Sequence, residues 1–468
     1  MLDRDLLFSP ATRLAGLLAA GEISSEELTR AHLDRIHAEG RALEAFTEVL
    51  DDAAIAAARR ADEERRRGDA RGPMHGLPVT VKESLDHAGS ASTLGVVKRK
   101  DLVAVRDAVI VEALRAAGCV ILGRTNVSQL LLFHESRNPL FGQVKNPWSH
   151  DHTPGGSSGG EAAAIASGCS PLGVGTDIGG SIRVPAHFTG IAGLKPTLDR
   201  WSNLGSNGVL VGQEAIRSQL GPMARTTGDL VLAMRALDVA AMSAADGRVP
   251  PLPFADPDGV DVAKLKVGVL IDDGLLTPSI AVARAVRRAA SALEGAGART
   301  VPIELPGVVD AVYGYFGALS ADGGATAIAA LEGSEIDGSL KSLTRIARIP
   351  PAARRAIGGA ARAFGEERLA RFLASFGQKP VAAYWRLTGA LRAAKVAIER
   401  AIRDAGVDVI VCPAHATPAL PHGLSRDFAV AGSPSILFNL TQLPAGVVPV
   451  TRVAPDEATR PVARDSLE

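Results

Sequence analysis

Cysteine is scarce in this 468-residue chain. Cys119, Cys169 and Cys412 stand far apart and form no Cys-x-x-Cys pair. That excludes a disulfide scaffold and fits reduced, buried thiols in a cytoplasmic protein. An excess of one charge is also missing, because Lys plus Arg and Asp plus Glu both number 51. The balance gives no reason to expect a polyanion, so no nucleic-acid partner is read. Residues Met1 to Glu22 carry Asp3, Arg4, Asp5 and Arg13 and no long apolar core. Neither a signal peptide nor a transmembrane span is expected. There is no internal repeat.

What is there is an ordinary apolar content of 46%, enough for a sizeable core. The length allows several domains or one large α/β domain. Ser24, Ser25, Glu26 and Glu27 make a helix start before Leu28, Leu33 and Ile36. Ala53 to Arg67 and Asp107 to Ala117 also read as helices. Short apolar runs at Gly76–Lys82, Cys119–Leu122, Leu172–Gly175, Val267–Ile271 and Asp408–Cys412 read as strands. This alternation predicts an α/β architecture around one mixed sheet. Asp246 to Asp258, rich in Pro and Asp, is the best linker candidate.

The chemistry concentrates between Pro154 and Thr197. There Pro-Gly-Gly-Ser-Ser-Gly-Gly-Glu leads to Gly-Thr-Asp-Ile-Gly-Gly-Ser-Ile-Arg, closing on Gly-Leu-Lys-Pro-Thr. Ser157 and Ser181 each sit in a glycine-lined turn. Adjacent glycines let successive N–H groups converge on one point, which an oxyanion hole requires. A flexible linker does not suit Gly155–Gly160, because buried-looking segments flank it closely, and a P-loop would need a Lys-Ser/Thr ending. Ile178–Ser181 also reads as a plain tight turn.

A serine nucleophile needs a base. No histidine sits in a pattern that ties it to Ser181, and Ile182 and Arg183 replace the Gly-x-Ser-x-Gly elbow. His187 reads as structural. His150 and His152 find no third ligand at sensible spacing, so no metal is expected. Lysine is the other option, provided burial or nearby positive charge lowers its pKa. Lys82 ends an apolar strand; on pattern alone, a surface lysine capping that strand is the simpler reading.

These residues resemble the amidase signature family of serine hydrolases, over Ser9 to Val453. Within it the chain is most similar to the fatty-acid amide hydrolase branch. The supporting pieces are Val81-Lys82-Glu83, Ser92-Thr-Leu-Gly95, Thr125-Asn-Val-Ser-Gln129, Asn138-Pro-Leu-Phe-Gly-Gln143, Asn146-Pro-Trp148 and Leu443-Pro-Ala-Gly-Val-Val-Pro-Val450. Most of the family has Asp where Glu83 stands. The resemblance implies a single large domain whose mixed, twisted sheet is covered by helices on both faces. A helical segment at 1–70 packs on a catalytic domain at 71–468, which carries a helical cap at about 340–375. It further implies a Ser-Ser-Lys triad with Ser181 as nucleophile, Ser157 as a relay after a cis peptide and Lys82 as base, overturning the surface-lysine reading. Ile178, Gly179, Gly180 and the Ser181 amide would form the oxyanion hole, and Leu131 would touch substrate. Ser158, Thr176, Asp177 and Arg183 would surround the triad, Asp177 and Arg183 as an ion pair.

Amide hydrolysis without a cofactor is therefore expected. The pocket near Leu130, Leu131, Leu132 and Phe133 would be apolar, favouring acyl chains or aryl groups over glutamine. The alternatives are the glutaminase subunit of a tRNA-dependent amidotransferase and a non-catalytic lipid binder. Thr344 to Leu373 holds seven arginines and two glutamates and lacks Trp. It reads as a solvated cover ahead of a peripheral membrane contact. Dimers are common in the family. Its members usually continue past Val447–Val450 to a further strand and helix, where this sequence has a charged tail, Asp456–Glu468. The resemblance thus leaves the sheet edge and part of the pocket wall open.

Overall fold

The computed structural model describes residues 4–457; most of the charged tail lies outside them. Strands β1 (Phe46–Val49), β2 (Pro78–Lys82), β3 (Val120–Thr125), β4 (Leu172–Asp177), β5 (Ala192–Lys195) and β6 (Gln219–Ala224) come first. They are followed by β7 (Lys266–Val269), β8 (Arg299–Pro302), β9 (Val409–Val411) and β10 (Ala445–Val447). The main sheet has seven strands in the order β1-β3-β2-β4-β6-β5-β10. It is mixed: β2 runs parallel to both β3 and β4, while the outer pairings are antiparallel. Two strands expected in this sheet, at Val267 and Val409, instead form a separate parallel sheet, β8-β7-β9.

The helices that matter for the site are α1 (Ser25–Arg35), α2 (Gly159–Ala166), α3 (Arg183–Thr189), α4 (Val308–Leu319), α5 (Ala325–Leu331), α6 (Gly338–Arg348), α7 (Pro351–Ala363), α8 (Glu367–Ser375), α9 (Val381–Ala405) and α10 (Ser433–Leu440). Helix α1 starts where the sequence predicts. Ser24 Oγ accepts from Glu27 N at 3.1 Å, and Glu27 Oε2 accepts from Ser24 N at 2.9 Å, a reciprocal cap.

Strand β2 is buried along its whole length because it lies inside the sheet between parallel neighbours. Alternation divides its side chains. Val79 and Val81 enter the core with Leu14, Leu28, Ile110 and Leu114. Thr80 and Lys82 take the opposite face, where the Thr80 hydroxyl donates to the Glu161 carboxylate on α2. From β2 the chain crosses first to β3 on one side, then to β4 on the other. Such a reversal opens a crevice at the carboxyl ends of the strands. Lys82 and Asp177 are those ends.

Candidate active site

Lys82 is fully buried. Its Nζ donates to Ser157 Oγ at 2.7 Å and to Thr176 Oγ1 at 2.8 Å. Burial lowers its pKa to about 7, although Asp177, Glu161 and Glu83 pull the other way. Glu161 is driven up to about 7, again chiefly by burial, against the Thr80 and Thr125 hydroxyls and the Lys82 charge. The pattern-only picture of a surface lysine is therefore wrong in geometry. Ser157 follows a cis peptide bond from Gly156. Its carbonyl accepts from Ser136 Oγ at 3.3 Å. Ser158 N donates to Ser181 O at 3.1 Å, which seats the two serine turns against each other. Ser158 Oγ donates to Thr176 O at 3.4 Å.

The turn from Ile178 to Ser181 is built around Asp177. Its carboxylate accepts from Gly180 N at 2.8 Å, Ile182 N at 3.2 Å, and Arg183 Nε and Nη2 both at 2.9 Å. Burial would raise the Asp177 carboxyl, but the charge and hydrogen bonds of Arg183 outweigh it and hold the group low. The expected ion pair is present and buried. Gly180 sits at φ 109°, a region that favours glycine. A Cβ on Gly179 would collide with the Tyr315 hydroxyl. Gly180 departs from the expected oxyanion set, since its N–H points at Asp177 rather than into the crevice. Among the described residues no protein acceptor takes the N–H of Ile178, Gly179 or Ser181.

Ser181 opens onto a cavity of about 530 Å³, within the range of small-molecule sites. Leu131, Leu132 and Phe133 line it consecutively. A regular strand would turn alternate residues away. Here Leu131 and Phe133 have φ of 61° and 101°, which breaks that alternation. Leu130 does not line the cavity as expected; it is buried with Leu94 and Val96. The far wall comes from α4 through Phe316, α6 through Leu343 and Ile346, and α8 through Leu369 and Phe372.

A family model described as Amidase matches residues 27–467. The chain belongs to the amidase family. It is 36% identical over 462 residues to fatty-acid amide hydrolase 1 of Sus scrofa, covering 98% of this chain and 78% of that protein. A solved structure of a fatty acid amide hydrolase superposes with a TM-score of 0.84 at 28% identity, over 95% of this chain and 74% of that one. A glutamyl-tRNA(Gln) amidotransferase subunit of Acidothermus cellulolyticus is 41% identical over 269 residues, 57% of this chain and 52% of that protein. This amidase is thus an amide-hydrolysing enzyme, similar along nearly its whole length to fatty-acid amide hydrolase.

The remaining motif residues of the amidase serve as clasps. Glu83 accepts from Leu94 N at 3.2 Å and from Thr93 N, so it ties the Ser92–Gly95 turn to the strand of Lys82. Asn138 Nδ2 donates to Asn126 Oδ1 at 2.8 Å. Asn146 Nδ2 donates to Phe188 O at 2.9 Å. His187 Nε2 bonds Thr417 O at 3.0 Å, in keeping with a structural histidine. His152 Nδ1 pairs with Ser149 Oγ, and the His150 carbonyl with His422 Nε2. The sequence reading did not reach His134, Tyr315 and Asn439, all three in contact with the Asp177–Gly179 backbone. They stand 45, 137 and 262 positions from their partners and belong to no motif. No local signal could have found them. No helix among the described residues is long and apolar enough to cross a membrane.

Proposed function

We propose that this amidase hydrolyses the C–N bond of hydrophobic carboxamides, fatty-acid or aryl, with Ser181 as nucleophile, Ser157 as relay and Lys82 as base. One observation carries the reading. A fully buried lysine with a depressed pKa bonds Ser157 at 2.7 Å, beside an apolar cavity that Ser181 lines.

In this reading neutral Lys82 takes a proton from Ser181 through Ser157 as Ser181 Oγ attacks the carbonyl carbon. The carbonyl oxygen becomes an oxyanion and accepts from the Ile178, Gly179 and Ser181 N–H groups. Lys82 then returns the proton through Ser157 to the leaving nitrogen, because an amide nitrogen departs poorly unless protonated. The C–N bond breaks and the acyl group stays on Ser181 as an ester. Water attacks that ester with the same base, releasing the carboxylic acid and restoring Ser181. Asp177 and Arg183 hold the turn, and Thr176 shares Lys82 Nζ with Ser157.

The glutaminase reading draws on the similarity to the amidotransferase component. The leucine- and phenylalanine-lined cavity favours an apolar acyl group over glutamine. The helices over the cavity are read as a solvated cover. The decisive experiment pairs Ser181→Ala with a panel of acyl amides and anilides of graded chain length. Turnover should fall by about 10⁴-fold or more, and fluorophosphonate labelling should vanish with it. Retained turnover in the variant would overturn the assignment; a flat chain-length profile would overturn the hydrophobic-substrate class.

A further inference from the structure

We infer that Asn439, Tyr315 and His134 are positioning residues that pin three successive peptide planes after β4, and thereby aim the oxyanion-binding N–H groups. The inference rests on the reading of Ser181 as nucleophile.

A trans peptide is planar, with its C=O and N–H on opposite edges. Pinning the carbonyl therefore fixes the direction of the N–H behind it. Asn439 Nδ2 donates to Asp177 O at 3.1 Å, which fixes the plane that carries the Ile178 N–H. The orientation of that amide is set by its other edge, where Asn439 Oδ1 accepts from Arg183 Nη2 at 2.6 Å. Tyr315 OH donates to Ile178 O at 3.3 Å, which fixes the plane of the Gly179 N–H. His134 Nε2 meets Gly179 O at 3.0 Å. A carbonyl only accepts, so His134 holds its proton on Nε2. Burial keeps this imidazole neutral by lowering its pKa. The N–H of that third plane belongs to Gly180 and is tied at its far end to Asp177 Oδ1, at 2.8 Å. The next plane is held at its carbonyl, where Gly180 O accepts from Val184 N at 2.7 Å. Its N–H is that of Ser181.

Each of the four carbonyls from Asp177 to Gly180 thus has a donor. Of the four N–H groups behind them, those of Ile178, Gly179 and Ser181 meet no acceptor among the described residues and are left for a ligand. The three side chains arrive from three separate places: the loop before the serine turns, α4 and α10. Tyr315 and His134 also line the cavity, so the walls that hold the acyl group and the donors that meet its carbonyl share parts.

The test uses the full chain and a medium-chain acyl p-nitroanilide. The second probe is a trifluoromethyl ketone of the same chain length, whose adduct with the nucleophile carries an oxyanion. Tyr315→Phe keeps the ring and removes only the donor. His134→Leu removes a donor of similar reach, and His134→Gln supplies one again. We expect Tyr315→Phe and His134→Leu each to lower kcat about tenfold, below the 10²–10³ cost of deleting an oxyanion donor itself. The ketone Ki should rise by the same factor while KM stays within twofold, and His134→Gln should recover most of the loss. Unchanged kcat and Ki, or a change confined to KM, would overturn the inference. Ser181→Ala separates the two levels. If it retains turnover, the underlying reading fails. If it is inactive while Tyr315→Phe and His134→Leu match the unmodified enzyme, only the positioning role fails.

Discussion

The floor and the cover of the cavity are held together by different physics. The floor, from Lys82 through Ser157 to the Asp177–Arg183 turn, is polar and almost wholly buried. Buried polar side chains cost stability unless paired, so Lys82, Asp177 and Arg183 acquire specific partners at specific distances. The cover, built by α5, α6 and α8 with the α4 residues beneath, is mainly apolar toward the cavity, through Ile328, Leu343, Ile346, Leu369 and Phe372. Phe316 meets Phe372 edge-on at 5.4 Å between centroids, and Phe372 stacks on Phe376 at 5.5 Å. Hydrogen bonds are directional, preferring donor angles above about 150°; apolar contacts fill volume and tolerate exchange. The floor should therefore govern the chemical step and the cover the choice of acyl group.

Lys82 is where that division is broken most severely. Lys82→Ala should lower kcat about 10³-fold for every acyl chain alike, as loss of a general base does. In the intact enzyme the sign of the pH effect follows from the depressed pKa. Protonated Lys82 cannot accept a proton, so kcat should fall about tenfold per pH unit below about 7 and level off above it. A pH profile between 5 and 9 checks this. A flat acid limb would remove Lys82 from the base role.

Asp177→Asn attacks the floor through its scaffold. The carboxylate is fully buried and Arg183 nearly so, and the variant leaves that guanidinium facing a neutral amide. Removing one member of such a pair costs about 3–5 kcal/mol. Denaturant unfolding should show the loss, together with a fall in kcat, because an amide has one acceptor oxygen where the carboxylate has two and so no longer holds both Gly180 N–H and Ile182 N–H. If stability were unchanged, the turn would not depend on this pair.

How much of this was legible in the sequence follows the same division. The Asp177–Arg183 pair came from the family resemblance, whereas the serine turns and the position of β2 could be read because glycines and short apolar runs act locally. The cap of α1 was legible for the same reason. The burial of Lys82 was not, because a lysine at a strand end looks alike whether helix α2 covers it or water does. The second sheet was missed because strand character at Val267 and Val409 says nothing about which neighbours each strand finds. The turning away of Leu130 depends on a positive φ at an ordinary leucine, 57°, which no residue-type preference signals. Tyr315, His134 and Asn439 act across 45 to 262 residues, and such partnerships exist only after folding.

The cover should respond differently from the floor to a change of volume. Leu343 on α6 lines the cavity from above. Leu343→Trp fills space and should move the preferred acyl chain to shorter lengths. Leu343→Ala should lower kcat/KM for the longest chains about tenfold, in line with the 1–3 kcal/mol that a pocket methylene or two is worth. Short-chain amides should be turned over at the unmodified rate by both variants. A uniform loss across chain lengths would mean that the cover acts on the chemical step, and the division would fail.

The smallest effect is expected on the outer surface of the same cover. Phe364, at the end of α7, is 85% exposed and faces away from the cavity. Arg362 beside it is tied to Glu367 at 2.7 Å, so this part of the arginine-rich segment is neutralised locally. A single exposed aromatic on a locally neutral surface is ordinary for a solvated helix. Phe364→Ser should leave kcat/KM within twofold and leave the protein in the supernatant of an anionic-vesicle sedimentation, as the unmodified chain is expected to remain. If the unmodified chain instead sedimented with vesicles and Phe364→Ser released it, the outer face would be a lipid contact. The cover would then have two working surfaces, one for the acyl chain and one for the phase it comes from.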